Sequence, residues 1–377
     1  MDLAFSSEQA ELARTLRQFA RRELAPRSAQ WDKTGEFPWE AWRRMGELGL
    51  LGLRVPVAHG GQEADFLTFG IAMEEIGRGD FSCTYAIQLA GLAGEILGRS
   101  APAEVQARWL PPTARGDTVV ALALTEPGAG SDAANLACRA ERDSTDYVIT
   151  GEKSGISLGM AAHAAIVFAR TDPSGRARGV TAFLVPLDLP GVSRSPLRDM
   201  GTRAIGRAVL AFDHVRVPAS HRLGEEGSGF RQLVTKLPQE RLSLAVNAVA
   251  AARAAFGWTL EYCKERTAFG QPIGSFQHNR FKLAEMRTEI DLGQVFVDRQ
   301  VEALNAGELT AEDAAEGKWW CTEMAWRTLD TCLQLHGGYG YMEEYPIARA
   351  WRDGRIPTIY GGTTEIMKEI IGRSLGV

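Results

Sequence analysis

Three stretches of this 377-residue sequence combine residue types able to do chemistry. The first is Leu124-Thr125-Glu126-Pro127-Gly128-Ala129-Gly130-Ser131-Asp132, which follows the apolar run from Thr118 to Ala123. A β-prone run therefore delivers the chain into a Pro-Gly-Ala-Gly turn. Gly128 and Gly130 admit positive φ and the close approach of a ligand. The hydroxyls of Thr125 and Ser131 flank N–H groups suited to an anionic or carbonyl-rich partner. The second stretch runs from Arg266 through Phe269-Gly270 and Pro272 to Phe276-Gln277. Its guanidinium, ring and amide around a tight turn suit a diphosphate and an adenine. It reads equally as an interhelical loop with a salt-bridged arginine. The third is a pair of glycine breaks, Gln334-Leu335-His336-Gly337-Gly338 and Tyr360-Gly361-Gly362-Thr363-Thr364-Glu365. Each has a plain reading as a helix end or start, with Thr364 as the expected cap of the last helix.

The elements that would position these stretches are legible as periodicity. Ser6-Ser7-Glu8-Gln9 is a capping-box start, followed by Leu12, Leu16 and Phe19 at helical spacing. Helix-like segments continue to about Leu110, one of them opening near Pro38. From Thr118 the texture changes to short β-branched or aromatic runs: Tyr147–Thr150, Ala165–Ala169, Val180–Val185 and Val209–Phe212. After Gly229 the helical period returns. Leu242, Val246, Val249, Phe256, Leu260 and Cys263 share one face of a long helix, and two more follow, from about Phe276 and from Thr310-x-x-Asp313. The expected order is a helical domain (1–117), a β domain (118–228) and a helical bundle (229–377).

Composition excludes several classes. A net charge of −5 leaves no electrostatic footprint for nucleic acid or an anionic membrane. The five cysteines are scattered without a Cys-x-x-Cys pair, so neither a disulfide framework nor a zinc site is expected. No run approaches the length of a membrane span, and Met1–Phe5 carries no basic-then-apolar leader. A reduced, cytoplasmic setting is expected, with no metal.

Taken in order, these strings resemble the acyl-CoA dehydrogenase family nearly end to end. The likeness extends to the Leu48–Leu53 pattern and to the region from Met200-Gly201-Thr202-Arg203 to Val215–Pro218. It implies an α+β fold: an N-terminal helical domain, a middle β-barrel or sandwich domain and a C-terminal four-helix bundle. It also implies FAD, a homotetramer, and α,β-dehydrogenation of an acyl thioester on CoA or acyl carrier protein. The α-proton would go to a base and the β-hydride to flavin N5, with electrons passing to an electron-transfer flavoprotein. On this analogy Leu122, Leu124, Thr125, Gly130 and Ser131 hold the isoalloxazine and pyrophosphate, and Ser157 reaches N5. Arg266, Phe269, Gln277, Gln334 and Gly338 grip the adenosine end of a neighbouring chain's FAD. Thr363 and Glu365 lie by the diphosphate, while Ser131, Arg241 and Tyr360 serve the substrate.

Much of the family carries its base in a Tyr-Glu-Gly turn before the last helix. Here the turn reads Tyr360-Gly361-Gly362, and the carboxylate is missing. The isovaleryl- and long-chain-type members place the base on the first bundle helix, where this sequence has Leu237-Pro238-Gln239-Glu240-Arg241. A first-turn glutamate is also favoured by the helix dipole alone, but the loss at Gly361 makes Glu240 the expected base. Gly361 can still lend its N–H to an enolate oxygen. A carboxylate restored at Gly361 is expected to reach the same α-carbon unless the pocket is shaped around glycine. Two departures stand out: Gly155 replaces the aromatic that usually covers one flavin face, and Leu158 replaces an asparagine. They leave room for an oxygen-using oxidase or monooxygenase on the same fold. A non-catalytic flavin-binding protein is the further alternative.

Overall fold

The computed structural model describes residues 5–376; Met1–Ala4, most of the segment read above for a leader, and Val377 lie outside them. The chain starts as the sequence predicts. Ser6 caps α1 (Ser7–Phe19), with the reciprocal Ser6–Gln9 capping box in place. A π-turn (Ala20–Leu24) leads into α2 (Ala25–Thr34), followed by α3 (Trp39–Glu47), α4 (Phe66–Gly77), α5 (Phe81–Ser100) and α6 (Ala103–Arg115). Helix α6 passes the predicted end at Leu110 and runs through Pro111 and Pro112. The Thr113 hydroxyl donates to the Trp109 carbonyl at 2.8 Å, and Gly116 closes the helix in the left-handed conformation.

The middle segment holds β1 (Val120–Ala123), β2 (Arg139–Asp143), β3 (Asp146–Ile156), β4 (Ala164–Arg170), β5 (Val180–Pro186), β6 (Val192–Pro196), β7 (Ala208–Pro218) and β8 (Arg222–Leu223). They form two ladders, β6-β7-β3-β2 and β1-β4-β5-β8, joined by the single pair Arg139–Arg170. One face of the second ladder (Val167, Phe183, Val185) packs on Tyr147, Ile149, Leu210 and Val215 of the first. Its other face (Ile166, Phe168, Leu184) packs on Leu92, Ile96 and Leu97 of α5. Covered on both sides, β4 and β5 read as unbroken apolar runs rather than alternating ones.

The last segment is α7 (Gly229–Val234), α8 (Leu237–Glu265), the hairpin β9 (Thr267–Ala268) and β10 (Gln271–Pro272), α9 (Gln277–Asn305), α10 (Ala311–His336), α11 (Pro346–Asp353) and α12 (Thr364–Ser374). The Thr310–Asp313 capping box opens α10 as predicted. Helices α8, α9 and α10 pack together, α12 lies on α10, and α4 and α5 lie on α8. Helix α5 is thus the shared wall: sheet on one side, bundle on the other.

The middle sheet is tied to the bundle at Asp353. Its Oδ1 accepts the Thr202 N–H at 2.5 Å, and a Cβ on Gly201 would stand 2.6 Å from the Arg352 carbonyl. Burial, with Asp80 and Asp32 nearby, pushes the Asp353 carboxyl up to about 7 despite the Thr202 hydrogen bond. A carboxyl raised on folding stabilises fully below its unfolded pKa, and that stability is lost as pH rises through about 7. Asp353→Asn keeps the acceptor oxygen and removes the titration. Thermal melts should find the variant gaining on the native protein as pH rises from 5 to 8; parallel curves would show that Asp353 does not titrate there.

Candidate active site

The glycine loop is fixed from within by a buried ion pair. The Glu126 carboxylate accepts from Lys153 Nζ at 2.7 Å and from the Ala137 and Cys138 N–H groups at 2.6 and 3.0 Å. Lys153 Nζ also donates to the Leu124 carbonyl at 3.0 Å, and Ser154 N–H to the Thr125 carbonyl at 2.9 Å. Burial pulls the Lys153 ammonium down, opposed by its carboxylate partner. Removing one partner of such a pair typically costs about 3–5 kcal/mol. The inner side of the loop is therefore rigid. Its outer side presents Thr125, Gly130 and Ser131 to solvent, with Leu122 and Leu124 half-buried beneath.

A second cluster gathers where α5, the end of β3, α8, α10 and the Tyr360–Gly362 turn meet. Tyr85 of α5 stands edge-on to Tyr360, ring centroids 4.9 Å apart, and Ser157 Oγ donates to Tyr85 Oη at 3.3 Å. Burial pushes the Tyr85 phenol up to about 12, with Arg207 opposing and Glu240 reinforcing the shift. Arg207 is anchored to Asp199 at 2.8 Å and to Thr202 Oγ1 at 3.1 Å. Glu240 lies in the first turn of α8. Burial pushes its carboxyl up; the charges of Arg241 and Lys318 pull the other way and are outweighed. Lys318 Nζ donates to the Gly362 carbonyl at 2.6 Å, and burial lowers its ammonium to about 8. It staples the glycine turn beside Glu240. Among the described residues, three buried polar atoms here lack a partner: Arg207 Nη2, Arg241 Nε and Tyr360 Oη. Gly155 is exposed at φ +70°, with nothing within 4 Å of where a Cβ would stand. Unpaired donors beside an open face fit a flat, hydrogen-bonding heterocycle such as a flavin.

Gly361 packs against α8 one helical turn beyond Glu240. It is one residue after Tyr360, at φ +67°, and a Cβ there would stand 2.5 Å from Leu244 Cδ1. Leu244 is one helical turn beyond Glu240 on the same face of α8. The pocket is shaped around glycine, and leucine fills the space a side chain would need. At α12 the cap is Thr363, whose hydroxyl accepts the Ile366 N–H at 3.3 Å; the predicted Thr364 instead donates to Glu323 at 2.7 Å. Glu365 is exposed in the first turn.

The remaining predicted residues form a separate, exposed surface. Arg266 lies over the Tyr339 ring at 5.6 Å, joining the hairpin loop to the Gln334–Gly338 break. Phe269 is 96% exposed at φ +53°, and Gly270 follows at +80°. That two-residue turn puts the ring at the hairpin tip in a conformation unfavourable for a non-glycine residue. Gln277, Gln334 and Gly338 are also exposed. Glu240 and Arg266 lie at opposite ends of α8, about 39 Å apart along its axis.

Sequence reasoning missed Lys153, Lys318 and Tyr85. A signal was present for the lysines. Lys153 has the inward parity of Tyr147 and Ile149 in β3, and Lys318 lies in the buried stripe Ala314–Cys321–Ala325 of α10. A lysine at such a position demands a partner. Among the described residues, no group of three or more His, Cys, Asp or Glu is arranged to hold a metal, and no helix is long and apolar enough to cross a membrane.

Comparison with known proteins fits this arrangement. The acyl-CoA dehydrogenase N-terminal, middle and C-terminal domains match residues 6–117, 121–215 and 227–376. The chain belongs to the acyl-CoA dehydrogenase family. It is a flavin-dependent oxidoreductase that dehydrogenates acyl-CoA. It is 38% identical to the long-chain specific mitochondrial acyl-CoA dehydrogenase of Sus scrofa over 98% of this chain and 87% of that one. The crystal structure of an acyl-CoA dehydrogenase from Geobacillus kaustophilus matches with a TM-score of 0.95 and 40% identity over the whole of both chains. A glutaryl-CoA dehydrogenase from Mycobacterium smegmatis in complex with FADH2 matches with a TM-score of 0.93 and 30% identity, covering 98% of this chain and 95% of that one.

The Leu244 contact reverses the expectation for a restored carboxylate. Gly361→Glu in a Glu240→Gln background should stay inactive and lower Tm, because the side chain is strained and blocked. Adding Leu244→Ala should relieve part of the Tm loss. Full activity in the two-residue variant would show that Leu244 gives way freely.

Proposed function

We propose that this enzyme uses FAD and that Glu240 is the base that removes the α-proton of the acyl thioester. The observation that carries the reading is a carboxyl raised by burial, set one helical turn from the glycine turn that lacks its own carboxylate. A raised pKa brings the base closer to the weak acidity of a thioester α-proton. Arg241 and Lys318 keep Glu240 ionisable, and the Gly361 N–H donates to the developing enolate oxygen. Leu122, Leu124, Thr125, Gly130, Ser131 and Ser157 hold the flavin end of the cofactor; Tyr360 and Ser131 border the substrate. When bound, FAD supplies the two-electron acceptor for the β-hydride. An electron-transfer flavoprotein then takes the electrons. A second reading, reoxidation by oxygen, is favoured by the open side at Gly155.

The adenosine end belongs to a neighbour. The surface of Arg266, Phe269, Gln277, Gln334 and Gly338 lies about 39 Å along α8 from Glu240, too far for one cofactor to bridge within a chain. Thr363 and Glu365 stand by the diphosphate. This supports a homotetramer with one FAD per chain. Arg266→Ala should release FAD; a monomer that holds FAD fully would overturn the arrangement.

Anaerobic mixing with acyl-CoA thioesters tests the base. Glu240→Gln should slow flavin bleaching by at least about 10²-fold while FAD stays bound. The native rate should fall as pH drops through the raised Glu240 pKa. Because that pKa is raised on folding, ionised Glu240 costs stability above it, so the glutamine variant should melt no lower at neutral pH. Bleaching at the native rate would move the base elsewhere. Reoxidation by air alone would favour the oxidase, and no bleaching with any thioester a binding protein.

A further inference from the structure

Two carboxamides lie unpaired in the seam between α5 and α8. Gln88 is 3% exposed and Asn247 1% exposed. Among the described residues, neither side-chain atom of either amide has a hydrogen-bond partner. Four buried polar atoms without partners are costly unless something completes them.

Their place in the fold points to what that is. On α5, Thr84, Gln88 and Glu95 fall within about 40° of one another around the helix, so they share a face. Of the neighbours of Gln88 on that face, Thr84 borders Gly77 of α4 together with Asn247, and Glu95 bonds α8 directly. A Cβ placed on Gly77 would stand 3.1 Å from Thr84 Oγ1 and 3.5 Å from Asn247 Oδ1, and Glu95 Oε1 accepts from Gln239 Nε2 at 2.7 Å. Gln88 lies between these two contacts and therefore faces the same seam. On α8, Asn247 is seven residues from Glu240 and only about 20° around from it. The two helices run antiparallel, with the base near one end of the seam and the amides one to two helical turns deeper, about 5–10 Å along it.

The inference rests on the reading of Glu240 as the base: a chain whose α-carbon is at that carboxyl meets the amides if it extends along this seam. An unsubstituted alkyl chain would bury against the amides and leave all four atoms unpaired. We propose that Gln88 and Asn247 are specificity residues for an acyl group carrying a neutral hydrogen-bonding substituent (hydroxyl, keto or amide) several bonds beyond the reacting carbons. Each carboxamide offers one acceptor and two donor hydrogens, and so matches groups that both give and accept. A carboxylate is disfavoured because neither amide would neutralise it.

The test compares acyl-CoAs with their ω-hydroxyacyl counterparts from four to ten carbons, by anaerobic flavin bleaching of the FAD-bound enzyme. At one chain length the hydroxylated thioester should exceed its plain partner in kcat/KM by about tenfold or more, since a site built for a hydrogen bond rejects the analogue lacking it. Gln88→Leu and Asn247→Leu should each cut that ratio at least about tenfold, chiefly by raising kcat/KM for the plain thioester. Both should also raise the Tm of the substrate-free protein, because an orphaned amide is replaced by an apolar group. If plain thioesters win at every length and the variants leave the ratios unchanged, the proposal is wrong. So it is if either leucine variant lowers Tm and keeps the native preference, for the amide is then structural. Failure of every thioester to bleach the flavin would instead sink the dehydrogenase reading beneath it.

Discussion

The buried carboxylate of Glu95 fixes the start of α8, and the site depends on that. Glu95 is 5% exposed on α5 and accepts from Arg54 Nε at 2.5 Å, from Gln239 at 2.7 Å and from Lys236. Burial alone would raise its pKa, but Arg54 and Lys236 outweigh burial and hold the carboxyl below its ordinary value. Lys236 occupies the N-cap position of α8, its side chain turned to Glu95, and Gln239 lies in the first turn, one residue before Glu240. Glu240, the proposed base, is therefore positioned by charge-assisted hydrogen bonds to the residues just ahead of it, not by its own contacts. Its own carboxyl is left free for chemistry.

Burial raises both carboxyls of this region, and the cations in contact decide which way each ends. Glu95 has two cations in contact, so its charge is stabilised although water is excluded. Glu240 has Arg241 and Lys318 near it but not hydrogen-bonded to it, and desolvation prevails. Lys318 is itself lowered to about 8 by burial and by the charge of Arg241, with Glu240 opposing; its ammonium donates to the Gly362 carbonyl. Two buried carboxyls of one region thus end with opposite shifts, Glu95 below its ordinary value and Glu240 above it.

Local signals in the sequence were read well because they act over a few residues. The capping boxes at Ser6 and Thr310, the β-branched runs of the middle sheet and the glycine loop all fall where expected. Long-range pairing was not legible. Lys153 finds Glu126 across 27 residues and Lys236 finds Glu95 across 141, and nothing near either lysine names its partner. The helix continues past the expected end near Leu110 because Pro111 and Pro112 do not stop it; it closes only at Gly116, in the left-handed conformation. Predicted site residues divide by the same rule. Ser157, Tyr360, Gly361 and Glu240 gather in one cluster, whereas Arg266, Phe269 and Gln334 lie on an exposed surface at the far end of α8.

Leu244 explains why the glycine at 361 and the glutamate at 240 go together. They are not independent substitutions, because α8 carries both the candidate base and, one turn later, the side chain that fills the space beside Gly361. A glutamate at 361 needs an ordinary backbone conformation and an empty neighbour. This turn offers φ +67° and a leucine methyl 2.5 Å from the Cβ position. Lys318 then holds the turn in that form through the Gly362 carbonyl. Moving a carboxylate to the turn would require releasing Lys318, rebuilding the backbone and removing Leu244, whose packing is part of the core that seats α8. The position of the proposed base is thus tied to the α8–turn contact as a unit.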